Sequence, residues 1–168
     1  MAVKAYTEPG EAVLIQSPVY YPFSEVIVDN ARKLVSSDLK QDESGHYYMD
    51  LEDLEEKIVK EKVRLLFLCN PHNPVGRVWT KEELTALGDI CVKHGVVVVS
   101  DEIHADFVFE GKHQVFAAIK KEFEEITITC TSPSKTFNLA GLMISNIFIA
   151  DRKPRHRFRK ELDRAGIS

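Results

Sequence analysis

Short apolar runs alternate along this chain with segments of helix length, and this alternation limits the fold more than any other feature of the sequence. Six runs are predicted to be strands: 12–16, 33–36, 63–69, 96–99, 126–131 and 145–150. The run 63–69 is apolar at nearly every position, which is typical of a short strand covered on both faces.

Helix signals lie between these runs. The segments predicted to be helices are 20–30, 51–61, 80–94 and 155–165. Asp50 can cap the second helix, and Thr80 with Glu83 forms a capping box that opens the third. Gly95 and Gly166 are placed to end the last two. Strands and helices alternating at this spacing predict an α/β domain with a largely parallel sheet.

Composition and charge limit the classes of partner. The chain has 168 residues, of which 44% are hydrophobic and 29% charged, enough for one buried core. A net charge of −4 gives no reason to expect nucleic acid or an anionic membrane surface. The one dense basic run, 152–159, is interpreted as the solvated start of a helix. Without a long apolar span or a signal-like N-terminus, the protein is predicted to be cytoplasmic.

Three cysteines, Cys69, Cys91 and Cys130, are an odd number and show no CxxC spacing. Two of them lie toward the ends of apolar strand-like runs. The pattern predicts reduced thiols in the core of a cytoplasmic protein, in preference to a disulfide or a metal site.

The loop after the run 63–69 is stiff. In parallel sheets, ligands bind beyond the carboxyl ends of the strands, so the polar residues that follow each run matter most. Here the sequence is Asn70-Pro71-His72-Asn73-Pro74-Val75-Gly76. Two prolines fix φ and Gly76 permits a tight bend, so the loop could hold the Asn73 amide in one place. A plain Pro/Gly turn is the alternative.

Asp101 follows the run 96–99, within Ser100-Asp101-Glu102-Ile103-His104. A carboxylate directly after a buried strand loses hydration and needs a cationic or hydrogen-bonding partner. A helix N-cap is the simpler interpretation. A metal site built from Asp101, Glu102 and His104 is disfavoured, because the adjacent carboxylates would diverge and no HExxH-like spacing is present. No metal is predicted.

Lys135 lies behind the run 126–131, within Ser132-Pro133-Ser134-Lys135-Thr136. It could be an ordinary solvated lysine. Its functional interpretation is an amine that burial or a neighbouring cation keeps unprotonated and ready to form a Schiff base.

Taken together, the three loops supply what pyridoxal 5′-phosphate (PLP) requires. Lys135 would form the Schiff base, Asp101 would keep the pyridine nitrogen protonated, and the Asn73 amide would bond the ring oxygen. The hydroxyls beside the lysine could bind the phosphate. Tyr20, after the Ser17-Pro18 turn, is a candidate to stack on the ring.

Four motifs in this order resemble the class I/II aminotransferase superfamily, the fold type I PLP enzymes. They are 18–23 (Pro-Val-Tyr-Tyr-Pro-Phe), 70–76, 100–104 and 132–142 (Ser-Pro-Ser-Lys-Thr-Phe-Asn-Leu-Ala-Gly-Leu). The resemblance covers essentially the whole chain and is greatest to the cystathionine β-lyase (C–S lyase) branch, MalY/PatB-like. It implies a three-layer α/β/α large domain with a mostly parallel sheet.

The resemblance also implies a role for each site residue. Lys135 would be the Schiff-base lysine, Asp101 would pair with the pyridine nitrogen, and Asn73 would bond the ring oxygen. His104 would lie where many relatives place a tyrosine with the same task, and Tyr20 would stack on the ring. The phosphate would be contacted by Ser132 and also by Ser134. An amino-acid substrate and a homodimer are implied as well.

Two departures from the family pattern affect what can be expected. Many aminotransferases place a phosphate-binding arginine eight residues after the lysine, where this chain has Met143; the lyase branch lacks that arginine. Family members are also longer, so we expect residues 1–168 to be a partial PLP-binding large domain without the N-terminal phosphate loop and the C-terminal small domain. The expected activity is C–S β-elimination; transamination or an inactive fragment with the family fold are the alternatives.

Overall fold

The computed structural model describes residues 1–167, and these form a sheet with helices on both sides. The helices are α1 (Ala2–Tyr6), α2 (Pro22–Val28), α3 (Leu51–Glu61), α4 (Lys81–His94), α5 (Lys121–Ile126) and α6 (Arg152–Arg164). The strands are β1 (Ala12–Ile15), β2 (Lys33–Ser36), β3 (Lys40–Gln41), β4 (Tyr47–Tyr48), β5 (Leu65–Cys69), β6 (Val97–Asp101), β7 (Thr127–Thr131) and β8 (Asn146–Phe148).

The main sheet has the strand order β2-β1-β5-β6-β7-β8. Its first five strands pair in parallel and β8 pairs antiparallel with β7, whereas β3 and β4 form a separate hairpin. The predicted α/β fold with a mostly parallel sheet is confirmed. Each of the six predicted strand runs contributes a strand to this sheet.

The sheet is buried on both faces, as its apolar strands predicted. Along β5, Leu66 and Leu68 face a core shared with α3, α4 and α5, whereas Leu65 and Phe67 face a second core shared with α1, α2 and α6. Consecutive strand residues point to opposite faces, so only a strand covered twice needs an apolar residue at every position. The three-layer arrangement follows from this pattern.

Two short helices were not predicted from the sequence. Helix α1 has five residues and is held by its contacts, because Val3 is buried and the Tyr6 hydroxyl donates to the Pro154 carbonyl at 2.9 Å. Helix α5 has six residues and includes Ile126, which had been assigned to the following strand. Helices of fewer than two turns repeat no apolar pattern that the sequence could show, so tertiary packing determines them.

Two helices begin at residues other than those predicted. Helix α2 begins at Pro22 rather than at Tyr20, since proline is favoured in the first turn. Helix α6 begins at Arg152, because the Asp151 side chain caps it by accepting from the Lys153 N–H at 2.8 Å. The capping box of Thr80 and Glu83 is present as predicted.

The three cysteines are free thiols. Cys69 and Cys91 are buried as predicted, and Cys130 is half-buried. Burial raises the pKa of each thiol to about 12, so all three are protonated at neutral pH. Within residues 1–167, no three side chains of the metal-binding types converge on one point. None of the helices in that range has the length and apolar character needed to cross a bilayer.

Gly88 is where α4 packs most tightly against α5. A Cβ atom at this position would lie 2.2 Å from the Phe123 ring, which itself stacks on Phe116 with centroids 5.1 Å apart. We therefore expect Gly88→Ala to lower the free energy of unfolding in urea by about 1–3 kcal/mol, although alanine is the better helix former.

The matched test uses the same substitution in a Phe123→Leu background, where the clash is removed. There Gly88→Ala should be neutral or stabilising. An equal loss of stability in both backgrounds would contradict the packing account.

Candidate active site

A cavity of about 320 Å³ opens at the carboxyl edge of the parallel strands. Its walls come from the loops that follow β1, β5, β6 and β7. The lining residues are Tyr20, Cys69, Asn73, Asp101, Ile103, His104, Ser134, Lys135, Ala140, Met143 and Ile144. The cavity therefore lies where parallel α/β sheets usually bind ligands.

Six of the seven predicted site residues line this one cavity: Tyr20, Asn73, Asp101, His104, Ser134 and Lys135. Ser132 is not among the lining residues. Its hydroxyl lies 2.8 Å from that of Ser134 and 2.6 Å from the Ile144 carbonyl, and it accepts from the Ser134 N–H at 3.1 Å. Ser132 therefore supports Ser134 from behind, and its direct contact with a phosphate stays a prediction.

Asp101 ends β6 with its carboxylate at the cavity. Burial raises the pKa of this carboxyl, and the neighbouring Glu102 raises it further. The Ile103 N–H, which donates at 3.2 Å, and the nearby side chains of His104 and Lys135 lower it. Within residues 1–167, Asp101 forms no ion pair, and the Ile103 N–H is the only donor to its side chain. A half-buried carboxylate with a single donor is suited to a ligand that brings a proton, such as a protonated ring nitrogen.

Asn73 is held by the backbone on both sides of it. The His72 N–H donates to the Arg77 carbonyl at 2.8 Å, the Gly76 N–H donates to the His72 carbonyl at 2.8 Å, and the Asn73 N–H donates to the Cys69 thiol sulfur at 3.3 Å. Gly76 has φ +72°, a conformation that glycine adopts without strain. Within residues 1–167, the Asn73 side-chain amide makes no hydrogen bond, so it is free to bind a ligand.

Lys135 lies in a tightly wound loop. The Phe137 N–H donates to the Pro133 carbonyl at 3.0 Å, and the Leu139 N–H donates to the Ser134 carbonyl at 2.9 Å. The Thr136 hydroxyl donates to the Asp106 carboxylate at 2.6 Å, which ties the lysine loop to the loop that carries His104.

Of the two settings that the sequence left open for Lys135, a buried one and a solvated one, the structure shows the second. The residue is exposed, because the chain leaves the sheet edge after β7 and the following segment, 137–148, lies almost entirely at the surface. The amine therefore approaches the cavity from its open side. Within residues 1–167, it forms no ion pair.

Two aromatic groups complete the walls. Tyr20 is 42% exposed; its ring is nearly perpendicular to that of Phe23, with centroids 6.2 Å apart, and is tilted against that of Tyr21 at 5.5 Å. The half-buried His104 lies with its ring 6.0 Å from that of Phe107. Their positions suit a planar aromatic ligand.

Sequence reasoning missed several lining residues. Cys69 was assigned to the core, yet as the last residue of β5 it also borders the cavity. Its place at a strand end was the signal that could have identified it. Met143, where many relatives have an arginine, is 90% exposed and has φ +51° at the end of a short 3₁₀ turn, Ala140–Leu142. It offers no charge to a phosphate.

A larger cavity of about 720 Å³ lies on the other side of Tyr20 and Asp101, between the sheet and helices α1, α2 and α6. Its lining is mainly apolar and includes neither Asn73 nor Lys135. Size alone therefore does not identify the candidate site; the convergence of an amine, a carboxylate and an amide does.

The raised pKa of Asp101 predicts how stability depends on pH. Because the folded chain disfavours the ionised carboxylate, the cost of burying it appears as pH rises through the raised pKa and is absent at acid pH. In the absence of any ligand, Asp101→Asn should therefore increase the free energy of unfolding near neutral pH by on the order of 1 kcal/mol. The gain should vanish below about pH 4.

Urea unfolding at several pH values checks this, with Asp29→Asn as the control because Asp29 is exposed at the end of α2. The pH dependence of the control should match that of the unsubstituted chain. If Asp101→Asn lowers stability equally at every pH, the carboxylate is structurally required and the account is wrong.

Comparison with known proteins agrees with the fold and the arrangement of the cavity. The model of the aminotransferase class I and II family matches residues 1–165. Cystathionine beta-lyase PatB of Bacillus subtilis is 49% identical over 99% of this chain and 43% of its own length. Protein MalY of Escherichia coli is 36% identical over 83% of this chain and 35% of its own length.

Among solved structures, cystalysin from Treponema denticola, which contains a pyridoxal 5′-phosphate cofactor, superimposes with a TM-score of 0.94 at 42% identity. That alignment covers 99% of this chain and 42% of cystalysin. The chain thus spans less than half the length of each of these relatives. By the extent of the family match and the likeness of its fold, the chain belongs to the aminotransferase class I and II family.

Proposed function

We propose that this chain carries the pyridoxal 5′-phosphate site of an enzyme that acts on amino acids, and that its reaction is C–S β-elimination. One observation carries the proposal: an amine, a carboxylate, an amide and an aromatic ring, from Lys135, Asp101, Asn73 and Tyr20, line one cavity. These are the groups that the cofactor requires.

The unused hydrogen-bonding groups of these side chains fit the cofactor. Asp101 has one backbone donor and would accept a second hydrogen bond from the protonated ring nitrogen. The unengaged amide of Asn73 would donate to the ring oxygen, and the partly exposed ring of Tyr20 would cover the cofactor ring. Ser134 borders the same cavity and would donate to the phosphate.

When bound, the cofactor supplies a pyridinium ring that withdraws electron density from the substrate Cα. Lys135 would hold the cofactor, and its amine, once free, would remove the substrate Cα proton as a general base. Asp101 keeps the proton on the ring nitrogen throughout, which stabilises the negative charge that develops. Thr136 and Asp106 hold the lysine loop beside the site.

The reaction branches after proton removal. If the sulfur on the substrate β-carbon leaves as a thiolate and takes up a proton, hydrolysis of the remainder gives pyruvate and ammonia. If Lys135 instead delivered that proton without loss of the thiolate, the amino group would pass to a keto-acid acceptor, which is transamination. The lyase names of the relatives support the first outcome, and the family, which is named for aminotransferases, makes the second the alternative.

The assembly and the compartment are proposals as well. The lengths of the relatives support an interpretation of this chain as part of a PLP-binding large domain. The phosphate loop and the small domain would then come from further chain, and Met143 leaves the phosphate in need of that loop. A cytoplasmic homodimer is the proposed state.

Reductive trapping tests the assignment of Lys135. With PLP and sodium borohydride, Lys135 should be labelled in preference to the other lysines, because Asp101, Asn73 and Tyr20 concentrate the cofactor beside it. Mass spectrometry of tryptic peptides measures the label at each lysine. Asp101→Asn and Asn73→Ala should each reduce labelling of Lys135 without changing that of surface lysines.

Lys112→Ala serves as the matched control, since Lys112 is exposed in a loop outside the cavity. This variant should label Lys135 as the unsubstituted chain does. In the unsubstituted chain, labelling of Lys135 at the same yield as Lys112 would contradict the proposed cofactor site.

The products distinguish the two reactions. In the enzyme that includes the phosphate loop and the small domain, PLP and cystathionine should give thiol and pyruvate in equal amounts, whereas transamination would consume an added keto acid and release no thiol. Lys135→Ala should slow thiol release by roughly 10²–10⁴-fold, the usual contribution of a general base. If the keto acid is consumed and no thiol is released, the reaction is transamination and not β-elimination.

A further inference from the structure

His72 joins two loops that reach the cavity from different strands. One loop follows β1 and carries Tyr20; the other follows β5 and carries Asn73. The His72 ring nitrogen Nε2 lies 2.9 Å from the carbonyl oxygen of Pro18, two residues before Tyr20. His72 itself directly precedes Asn73 and is only 2% exposed.

We propose that His72 is a positioning residue: its hydrogen bond to Pro18 holds Tyr20 and Asn73 in fixed relation on the wall of the cavity. The proposal rests on the proposed function in one respect, that the cavity holds the cofactor ring. The link between the loops is independent of any ligand.

The imidazole is fixed in place by the end of β5. It meets the Trp79 ring edge-on, with centroids 5.5 Å apart and planes at 85°. Trp79 is fully buried, and its indole N–H donates to the Cys69 carbonyl at 3.0 Å. The backbone N–H and carbonyl of His72 are both bonded within its own loop. The ring is therefore fixed relative to the end of β5, and its hydrogen bond fixes the Pro18 carbonyl relative to the same strand end.

The chemistry of the contact fixes the tautomer. A carbonyl oxygen only accepts, so Nε2 of His72 carries the hydrogen and donates it. Burial lowers the pKa of His72, so the ring is neutral at neutral pH. Nδ1 is buried and has no hydrogen-bond partner within residues 1–167. The bond to Pro18 is thus the one hydrogen bond of this side chain there, although the carbonyls of Gln16 and Cys69 also lie near enough to the ring to raise its pKa.

The segment from Pro18 to Tyr21 has few other attachments. Before it, the Leu39 N–H donates to the Ser17 carbonyl at 2.7 Å; after it, the carbonyls of Tyr20 and Tyr21 accept only from the first turns of α2. Among the hydrogen bonds of residues 1–167, that from His72 is the only one that ties this segment to the Asn73 loop. Without it, the segment would be held only at Ser17 before it and by the first turn of α2 after it.

Two variants separate the hydrogen bond from packing. His72→Leu fills the buried space but has no donor, whereas His72→Gln can place its amide nitrogen where Nε2 lies. Without cofactor, limited chymotrypsin digestion measures the mobility of the loop by cleavage after Tyr20. Cleavage after Phe109, which is 92% exposed in another loop, is the internal control.

We expect His72→Leu to increase the rate of cleavage after Tyr20 about three- to tenfold, as loss of one hydrogen bond implies, and to leave cleavage after Phe109 unchanged. The PLP concentration that half-labels Lys135 should rise by a similar factor. His72→Gln should stay within about twofold of the unsubstituted chain in both measurements.

Each other outcome has a definite meaning. Unchanged cleavage after Tyr20, a parallel rise after Phe109, or an unchanged half-labelling concentration despite faster cleavage would each overturn the positioning role. If the unsubstituted chain does not label Lys135, the proposed function fails, and the digestion alone decides whether His72 joins the loops. Should His72→Leu fail to fold, His72→Asn, whose amide is too short to reach Pro18, provides the same comparison.

Discussion

The parallel register of three central strands determines where the amide, the carboxylate and the amine of the candidate site can be. Cys69 at the end of β5 pairs with Asp101 at the end of β6, and Asp101 pairs with Cys130 in β7. Because parallel strands end at the same edge, the loops that follow these residues begin side by side. Asn73 comes four residues after Cys69, and Lys135 comes five after Cys130. If one of these strands shifted by one residue against its neighbours, the strand residue at this edge would point to the opposite face of the sheet.

The same burial that stabilises the sheet creates the chemistry of the site. Strands covered on both faces have a dry edge, and a carboxylate at that edge loses hydration and has its pKa raised, as Asp101 does. The chain thus holds a carboxylate where its negative charge is disfavoured, and a bound cation would offset that cost. A ligand with a protonated ring nitrogen would repay this cost on binding, so the stability of the empty site and its affinity for such a ligand are coupled.

The sequence predicted the sheet well because the signal was local. Doubly buried strands such as β5 need an apolar residue at every position, and the caps of Thr80 and Asp50 lie beside the helices they begin. Short helices such as α1 were missed, since their contacts come from distant residues like Pro154. The exposure of Lys135 could not be predicted either, because it depends on what covers the loop and not on the residues within it.

His72 illustrates the same limit at the site. The sequence drew attention to Asn73 and the prolines around it, because their effect on the loop is local, whereas the acceptor for His72 lies 54 residues away. The lysine loop has a corresponding link from Thr136 to Asp106, but this one lies at the surface. Under the proposed function, a lysine that holds a cofactor and then moves a proton at the substrate would need that freedom, while the cofactor ring would have to stay still. The part-buried link beside Asn73 and the exposed link beside Lys135 fit that division between a fixed ring and a freer base.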